Sequence, residues 1–267
     1  MSSDLALRLV PDELWELAEP LIPDFTPRRQ GGGTAAVADR AVFTAIVYVL
    51  TSRCAWRHLP AEFGVSVPTA HRRFTAWTRA GLWPRLHRTV LDELGARGQV
   101  DRASVIVDAV AVRAKKGHAD RPQSSRGSKL HVLSDAAGLP LVVAVSAANV
   151  HDSQALKPLL MASPAIRSRR GPRRRRPVKV RADKAYHSAE HQAWLRRRGI
   201  VPRIARPGIE SGERLGRHRR MIERTPAWLL GYRRLTIRYE RHGHLFNAFS
   251  FLAAAITCYK KLAEQPT

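Results

Sequence analysis

Three neighbouring strand-like runs in the middle of the chain limit its possible folds more than any other feature. They are rich in Val, Leu and Ala, and they cover Ser104–Val112, Lys129–Ser134 and Leu139–Ser146, with a turn at Ala136-Ala137-Gly138. Shorter strand patterns follow at 178–182 and 200–204, and helical patterns cover about 153–161, 188–198 and Leu215 to the end. Three strands followed by alternating helices and strands predict an α/β fold, a mixed sheet flanked by helices, over residues 99–267.

The first 98 residues have helical rather than strand periodicity. A helix is expected after Pro11-Asp12 that ends before Pro23, and a buried apolar helix is expected over Val37–Leu50. Residues 1–98 are therefore predicted to form an all-α region that precedes the sheet.

Residues 55–77 follow the order of a helix-turn-helix. A helix-like piece at 55–63 leads into the turn Gly64-Val65-Ser66 and a helix from Pro68 to Trp77. Glycine tolerates a left-handed turn and serine caps helices, so the local chemistry agrees with the pattern. In this interpretation Thr69, Arg72 and Arg73 face DNA. The alternative, two packed helices with a basic solvated face, stays open because such patterns also occur by chance.

The charge of the chain predicts a polyanionic partner. Lys and Arg number 46 against 22 Asp and Glu, which gives a net charge of +24. Residues 101–267 hold 34 of these basic residues and only 12 of the acidic ones. Nucleic acid is the leading candidate, and the second part of the chain is expected to make most phosphate contacts.

Cysteine content and hydropathy exclude several other classes of protein. Cys54 and Cys258 are the only cysteines, which excludes a disulfide framework and a four-cysteine zinc site. Apolar stretches such as Ala41–Leu50 and Phe249–Ile256 are too short to span a bilayer. We therefore expect a soluble protein of a reducing cytoplasm.

An arginine-rich segment separates two of the predicted elements. Residues 168–177 contain six arginines around Gly171-Pro172, a composition that predicts a loop rather than a packed element. The sequence leaves two interpretations open: a flexible clamp for phosphates, or a solvated loop that is basic by chance.

Three carboxylates stand in positions that favour chemistry. Asp108 lies inside an apolar strand, where burial of an ionised group is costly, and Asp183 directly follows the strand at 178–182. Glu223 lies between Ile222 and Arg224. Sites built from carboxylate oxygens suit Mg²⁺ or Mn²⁺ and phosphoryl transfer. Spacing alone does not distinguish such a site from salt bridges to the many arginines.

Several motifs in order resemble the IS5 family of insertion-sequence transposases, which have an RNase H-like DDE catalytic domain. In the N-terminal part the similar motifs are Cys54–Pro60, Phe63–Ser66, Arg73-Phe74 and Trp77. In the catalytic part they are Val107-Asp108, Val112–Ala114, Gly127–His131, Gly138–Leu141, Asn149–Ser153, Ala182–Tyr186, Ile222–Thr225, Tyr232–Leu235 and Arg238–Arg241. The resemblance extends over nearly the whole chain.

The resemblance implies a DNA transposase. Such an enzyme binds the terminal inverted repeats of its insertion sequence, cleaves DNA and transfers the freed strand to a target, with two Mg²⁺ or Mn²⁺ ions held by Asp108, Asp183 and Glu223. It implies that Lys129, Arg233 and Arg234 lie near DNA phosphates. It also implies a homodimer on duplex DNA in the bacterial cytoplasm, at the nucleoid.

Two other functions fit the same residues. One is a catalytically inactive DNA-binding remnant of a transposase, and the other is a metal-dependent nuclease without strand joining. The three carboxylates argue against the remnant. Pro226 argues for it, because proline inside a helix costs roughly 3 kcal/mol, unless the helix begins near Thr225. The short segment 115–126 also argues for it and suggests an altered DNA-binding loop.

Overall fold

A computed structural model describes residues 3–24, 37–52, 54–115, 127–206 and 225–264. The N-terminal region is helical, as predicted; its helices are α1 (Ser3–Leu9), α2 (Asp12–Ala18), α3 (Asp39–Ser52), α4 (Val67–Arg79) and α5 (Leu82–Ala96). The apolar pattern predicted as a buried helix forms most of α3, whose side chains Phe43 and Ile46 are fully buried. Helices α2 to α5 thus share one apolar core.

The predicted turn before α4 forms, but the element before the turn is not a helix. Gly64 has φ +66° in the left-handed region, and the Ser66 hydroxyl accepts a hydrogen bond from the Thr69 N–H at 3.4 Å. The chain ahead of Gly64 instead forms two short 3-10 turns, Trp56–His58 and Ala61–Phe63. Pro60 stands between them and lacks the N–H that a continuous helix would need.

The central sheet confirms the predicted RNase H-like mixed architecture. Its strands are β1 (Ser104–Ala114), β2 (Gly127–Asp135), β3 (Pro140–Ala147), β4 (Lys179–Ala182), β5 (Val201–Ile204) and β6 (Ile237–Arg238). The order is β3-β2-β1-β4-β5, and β6 pairs with the far end of β1. Strand β2 runs antiparallel to β1 and β3, whereas β4 runs parallel to β1 and β5. The long central strand β1 therefore has β4 beside its first half.

The remaining helices flank the sheet. They are α6 (Leu156–Ala162), α7 (Ala189–Arg197), α8 (the helical residues 225–230) and α9 (Gly243–Ala263). The expectation of helix from Leu215 to the end is wrong for residues 233–238, which form a 3-10 turn and β6. Pairing of β6 with Arg113 and Ala114 of β1 supplies the hydrogen bonds that a helix would have supplied there.

The C-terminal helix α9 joins the helical region to the sheet. Phe249 of α9 stacks on Phe74 of α4 with ring centroids 4.4 Å apart, and α9 also packs along α5 and β3. The apolar core is continuous from the N-terminal helices to the sheet. The division at residue 98 stays a prediction, and the two regions it separates pack against each other.

Two buried groups beside the β2–β3 turn respond to acid in opposite ways. Burial lowers the pKa of His87 to about 4, although its ring donates a hydrogen bond to the Pro140 carbonyl at 2.7 Å. Burial raises the pKa of Asp135 to about 6, although its carboxylate accepts N–H groups from Leu139 and Asp101. The contribution of neutral His87 to the unfolding free energy is therefore present above pH 6.5 and lost towards pH 4. The contribution of protonated Asp135 is present below about pH 4 and lost towards pH 6.

The pH dependences due to His87 and Asp135 oppose each other, and replacement of His87 should separate them. His87→Gln keeps a hydrogen-bond donor for the Pro140 carbonyl but removes the histidine titration. Between pH 7 and pH 4 we expect the unfolding free energy of the variant to gain roughly 3 kcal/mol relative to the wild type. Urea denaturation at both pH values measures this, with the exposed His71→Gln as control. An unchanged difference between the proteins at the two pH values would contradict the assignment.

Candidate active site

The β1–β4 register brings two of the predicted carboxylates together. Val107 of β1 is paired with Ala182, the last residue of β4, and the strands run parallel. Asp108 follows Val107 and Asp183 follows Ala182, so the Cα atoms of the two aspartates stand at neighbouring positions about 5 Å apart. Asp183 therefore lies at the carboxyl end of its strand, where open sheets place their chemistry.

Main-chain N–H groups fix the orientation of both carboxylates. Asp108 Oδ1 accepts the N–H of Ala109 at 2.8 Å, and Asp183 Oδ1 accepts the N–H of Lys184 at 2.6 Å. The second bond caps the 3-10 turn Lys184–Tyr186 that follows β4. Asp108 is half-buried and Asp183 is exposed, so the pair is open to solvent from the Asp183 side.

A buried phenol lies close enough to three carboxylates to feel their charge. Burial, followed by the negative charges of Asp152, Asp108 and Asp183, raises the pKa of Tyr186 above its ordinary value. The Tyr186 side chain is buried, and its hydroxyl has no hydrogen-bond partner among the described residues. A protonated phenol that faces carboxylates is a donor without an acceptor in this arrangement.

Asp152, the first residue of the 3-10 turn Asp152–Ala155, forms a small polar cluster with Lys129 and His131 of β2. Its carboxylate lies 2.8 Å from Lys129 Nζ, an ion pair without the alignment of a hydrogen bond, and the same amine donates to the Val150 carbonyl. Burial lowers the pKa of His131, against the raising effect of Asp152. The His151 ring accepts the Ser153 N–H and so caps this 3-10 turn, while the Asp152 carboxylate is turned to Lys129.

The third predicted carboxylate, Glu223, lies outside the described residues. Among the described residues, no group of three or more His, Cys, Asp and Glu side chains is arranged to hold a metal ion. Of the three predicted ligands, the structure therefore describes the positions of Asp108 and Asp183. The helical residues 225–230 include Pro226, and the Thr225 hydroxyl donates to the Gly138 carbonyl at 2.7 Å, so the chain after Glu223 is anchored to the β2–β3 turn.

The predicted DNA-contacting residues divide by exposure. Arg72 and Arg233 are exposed, and Thr69 is half-buried at the start of α4, where it touches the Ser66 cap. Lys129 is half-buried and pairs with Asp152.

Two of the predicted arginines hold the fold together instead of facing solvent. Arg73 is 7% exposed and pairs with Asp39 at the start of α3. Arg234 is 2% exposed, and its guanidinium donates to Glu240 and to the Cys54 carbonyl. Glu240 thus neutralises the buried charge of Arg234. Neither arginine offers a surface to a phosphate in this structure.

The fold and this carboxylate pair define a class of protein, and family comparison gives the family. Residues 101–258 match the model described as "Transposase DDE domain", and residues 10–87 match "Putative transposase of IS4/5 family (DUF4096)". The first match covers more than half of the chain. The chain belongs to the family of transposases with a DDE domain.

Two curated relatives come from Burkholderia cepacia. "Putative transposase for insertion sequence element IS402" is 43% identical over 150 residues, which cover 56% of this chain and 71% of that protein. "Insertion element IS402 uncharacterized 16.2 kDa protein" is 43% identical over 112 residues, which cover 41% of this chain and 76% of that protein. Both agree with the family assignment.

Similarity to solved structures is weak. A chain of the simian T-cell lymphotropic virus intasome in complex with PP2A regulatory subunit B56 gamma is 17% identical with a TM-score of 0.33, covering 79% of this chain and 65% of that one. A chain of the Mos1 strand transfer complex is 11% identical with a TM-score of 0.35, covering 90% of this chain and 80% of that one.

Within the described residues, none of the helices is both long and apolar enough to cross a membrane.

Proposed function

We propose that this transposase binds the terminal inverted repeats of its insertion sequence, cleaves DNA there and joins the freed strand to target DNA, with Mg²⁺ or Mn²⁺ as cofactor. The observation that carries the proposal is the placement of Asp108 beside Asp183 at the end of β4. Its place of action would be the bacterial nucleoid, in the cytoplasm.

The residues present fit a divalent cation. Both donors are carboxylates with one oxygen fixed by a main-chain N–H, and oxygen ligands of this kind suit Mg²⁺ and Mn²⁺. Asp108, Asp183 and Glu223 would hold up to two ions. Bound ions would activate a water or 3′-hydroxyl for attack on a phosphodiester and stabilise the leaving oxygen.

The chain itself contributes orientation and DNA contacts. The N–H groups of Ala109 and Lys184 hold the two carboxylates in place before DNA arrives. Exposed Arg72 and Arg233 would contact phosphates, with Thr69 near the DNA at the start of α4. Lys129 would balance Asp152 at the edge of the site rather than contact DNA. Because two ends must be cut and joined together, a homodimer on duplex DNA is part of the proposal.

The second candidate function is an inactive DNA-binding remnant. The observation that favours it is Pro226, which follows Glu223 closely and lies in the helical residues 225–230. A nuclease that does not join strands remains an outcome of the same experiment.

The test is cleavage of a duplex that carries the element's own ends, in Mg²⁺ or Mn²⁺, with products resolved on denaturing gels. The proposal expects both cleaved ends and joined products from the wild type, and neither from Asp183→Ala, while both proteins bind the ends. Exposed Asp4→Asn in α1 serves as a control for the loss of one carboxylate. Binding without cleavage by the wild type favours the remnant, and cleavage without joining favours the nuclease.

Tyr186→Phe separates stability from activity at this site. Loss of a buried hydroxyl without a described partner should raise the unfolding free energy by roughly 1 kcal/mol. Cleavage should stay close to the wild-type rate, because among the described residues the hydroxyl makes no hydrogen bond to a carboxylate. Thermal unfolding and cleavage rates measure the two effects. A variant with lower stability, or with cleavage lowered by about tenfold or more, would show that the hydroxyl does have a partner at the site.

A further inference from the structure

The arginine-rich segment is an ordered hairpin, which we name the arginine hairpin and define as residues 166–176. Ile166 and Arg174 form an antiparallel bridge with hydrogen bonds in both directions, of 3.0 and 2.9 Å. Gly171 makes the reversal with φ +92°, a conformation that favours glycine. Ile166 is 1% exposed and anchors the base in the core. Residues 168–177 thus form a loop, as predicted, and the bridge between Ile166 and Arg174 closes it at its base.

Part of the charge in the hairpin is used to hold it in place. Arg173 donates from one nitrogen to both oxygens of Asp92 in α5, each at 2.7 Å, and Asp92 also accepts the Arg167 N–H. Arg175 donates to the Ser163 carbonyl, and Arg102, ahead of β1, donates to the Arg175 carbonyl at 2.7 Å. These contacts fix the main chain of the hairpin against α5 and the sheet.

The rest of the charge faces solvent. Residues 166–176 contain seven arginines and no Asp or Glu. Arg169, Arg170 and Arg174 are exposed, and among the described residues their guanidinium groups have neither a carboxylate nor a carbonyl partner. Like charges held close together on a fixed main chain repel one another, and a bound polyanion relieves that repulsion.

This charge lies away from the candidate active site. The hairpin adjoins the amino ends of β1 and β4, since the Val178 N–H donates to the Arg102 carbonyl. Asp108 and Asp183 lie towards the other end of the same two strands. From Arg102 to Asp108 an extended strand covers roughly 20 Å. A cleft of about 370 Å³ opens beside the hairpin, lined by Gly98, Arg169 and Arg174 among others.

We propose that the arginine hairpin is a second DNA-binding surface, which binds the phosphate backbone of a duplex segment remote from the phosphodiester being cut. Several guanidinium groups carried at different points of a fixed main chain can each meet a phosphate in the regular row of a duplex, and no base contact is required. The surface therefore binds DNA without regard to sequence. The proposal rests on the proposed function only in that DNA is the partner.

Salt-dependent binding tests this surface. The probe is a fluorescent 30-base-pair duplex of unrelated sequence (roughly three helical turns), and anisotropy is measured over a range of salt concentrations. The test variant is Arg170→Gln/Arg174→Gln, which leaves the Arg169 stem in place over Gly98. The matched control is Arg8→Gln/Arg85→Gln, two exposed arginines of α1 and α5. Arg170→Lys/Arg174→Lys keeps both charges and checks that folding is not the cause.

The expected result is a loss of about two units from the slope of log affinity against log salt in the Gln hairpin variant, and an affinity at least about tenfold lower. The control and the Lys variant should keep the wild-type slope. Equal losses in the hairpin and control variants, or none in either, would overturn the proposal. Cleavage at saturating DNA stays unchanged in the hairpin variant, whereas Asp108 and Asp183 variants lose cleavage and keep binding, so the two proposals fail separately.

Discussion

Asp108→Asn and Asp183→Asn should each lower metal-dependent DNA cleavage by about a thousandfold or more, while end binding persists. Each substitution replaces a charged oxygen ligand by a neutral amide, and bound ions contribute several kcal/mol to phosphoryl transfer, at about 1.4 kcal/mol per tenfold in rate. The two carboxylates are adjacent across β1 and β4, so the double variant should be little worse than either single one. Single-turnover cleavage rates measure the effect.

Two controls separate a catalytic loss from a folding defect. Asp4→Asn removes a carboxylate from the exposed face of α1 and should cleave like the wild type. Thermal unfolding of the Asp108 and Asp183 variants should occur close to the wild-type temperature, since removal of one of two adjacent negative charges relieves repulsion. Activity within tenfold of the wild type in either variant would remove that residue from the site.

Arg234→Ala should cost roughly 3–5 kcal/mol of unfolding free energy and lower the melting temperature by roughly 10 °C. Arg234 and Glu240 are each 3% exposed at the side chain, and Arg234 Nη2 lies 2.6 Å from Glu240 Oε1. The same guanidinium donates to the Cys54 carbonyl at 2.7 Å and lies over the rings of Tyr239 and Phe249. Its loss leaves a buried carboxylate without its partner and removes the hydrogen bond to Cys54, one of the contacts between the helical region and the sheet domain.

Variants at the same pair separate charge from geometry. Arg234→Lys keeps the charge but cannot make the forked contact, so it should lose most of the same free energy. Arg234→Met/Glu240→Leu should recover much of it, because apolar side chains need no partner. The exposed pair of Arg40 and Asp12 is the matched control, and Arg40→Ala should cost less than about 1 kcal/mol. A cost that small for Arg234→Ala, measured by urea denaturation, would contradict the structural role.

Features that depend on neighbouring residues were predictable from sequence. The strand-like run around Asp108, the position of Asp183 after a strand, the glycine turn at Gly64 and the Ser66 cap all follow from local composition. Strand β4 runs parallel to β1 and ends beside its middle, so the two aspartates meet through the register that pairs Val107 with Ala182.

Features that depend on distant partners were not predictable. Arginine is mostly exposed, so Arg73 and Arg234 were expected on the surface. Their burial depends on partners far away in sequence, Asp39 for Arg73 and Cys54 for Arg234. The ion pair of Asp152 with Lys129 of β2 also joins residues that no local pattern connects. The order of the arginine hairpin likewise depends on Asp92 of α5, which no local pattern connects to it.

The central claim is that Asp108 and Asp183 together hold the metal ion, and Mn²⁺ binding followed by electron paramagnetic resonance tests it most directly. Removal of a direct ligand should weaken binding by roughly tenfold or more, since even loss of residues that only support ligands commonly does so. We expect that loss in Asp108→Asn and in Asp183→Asn, and wild-type binding in Asp4→Asn. Mn²⁺ binding that is equal in the wild type and both aspartate variants would contradict the account.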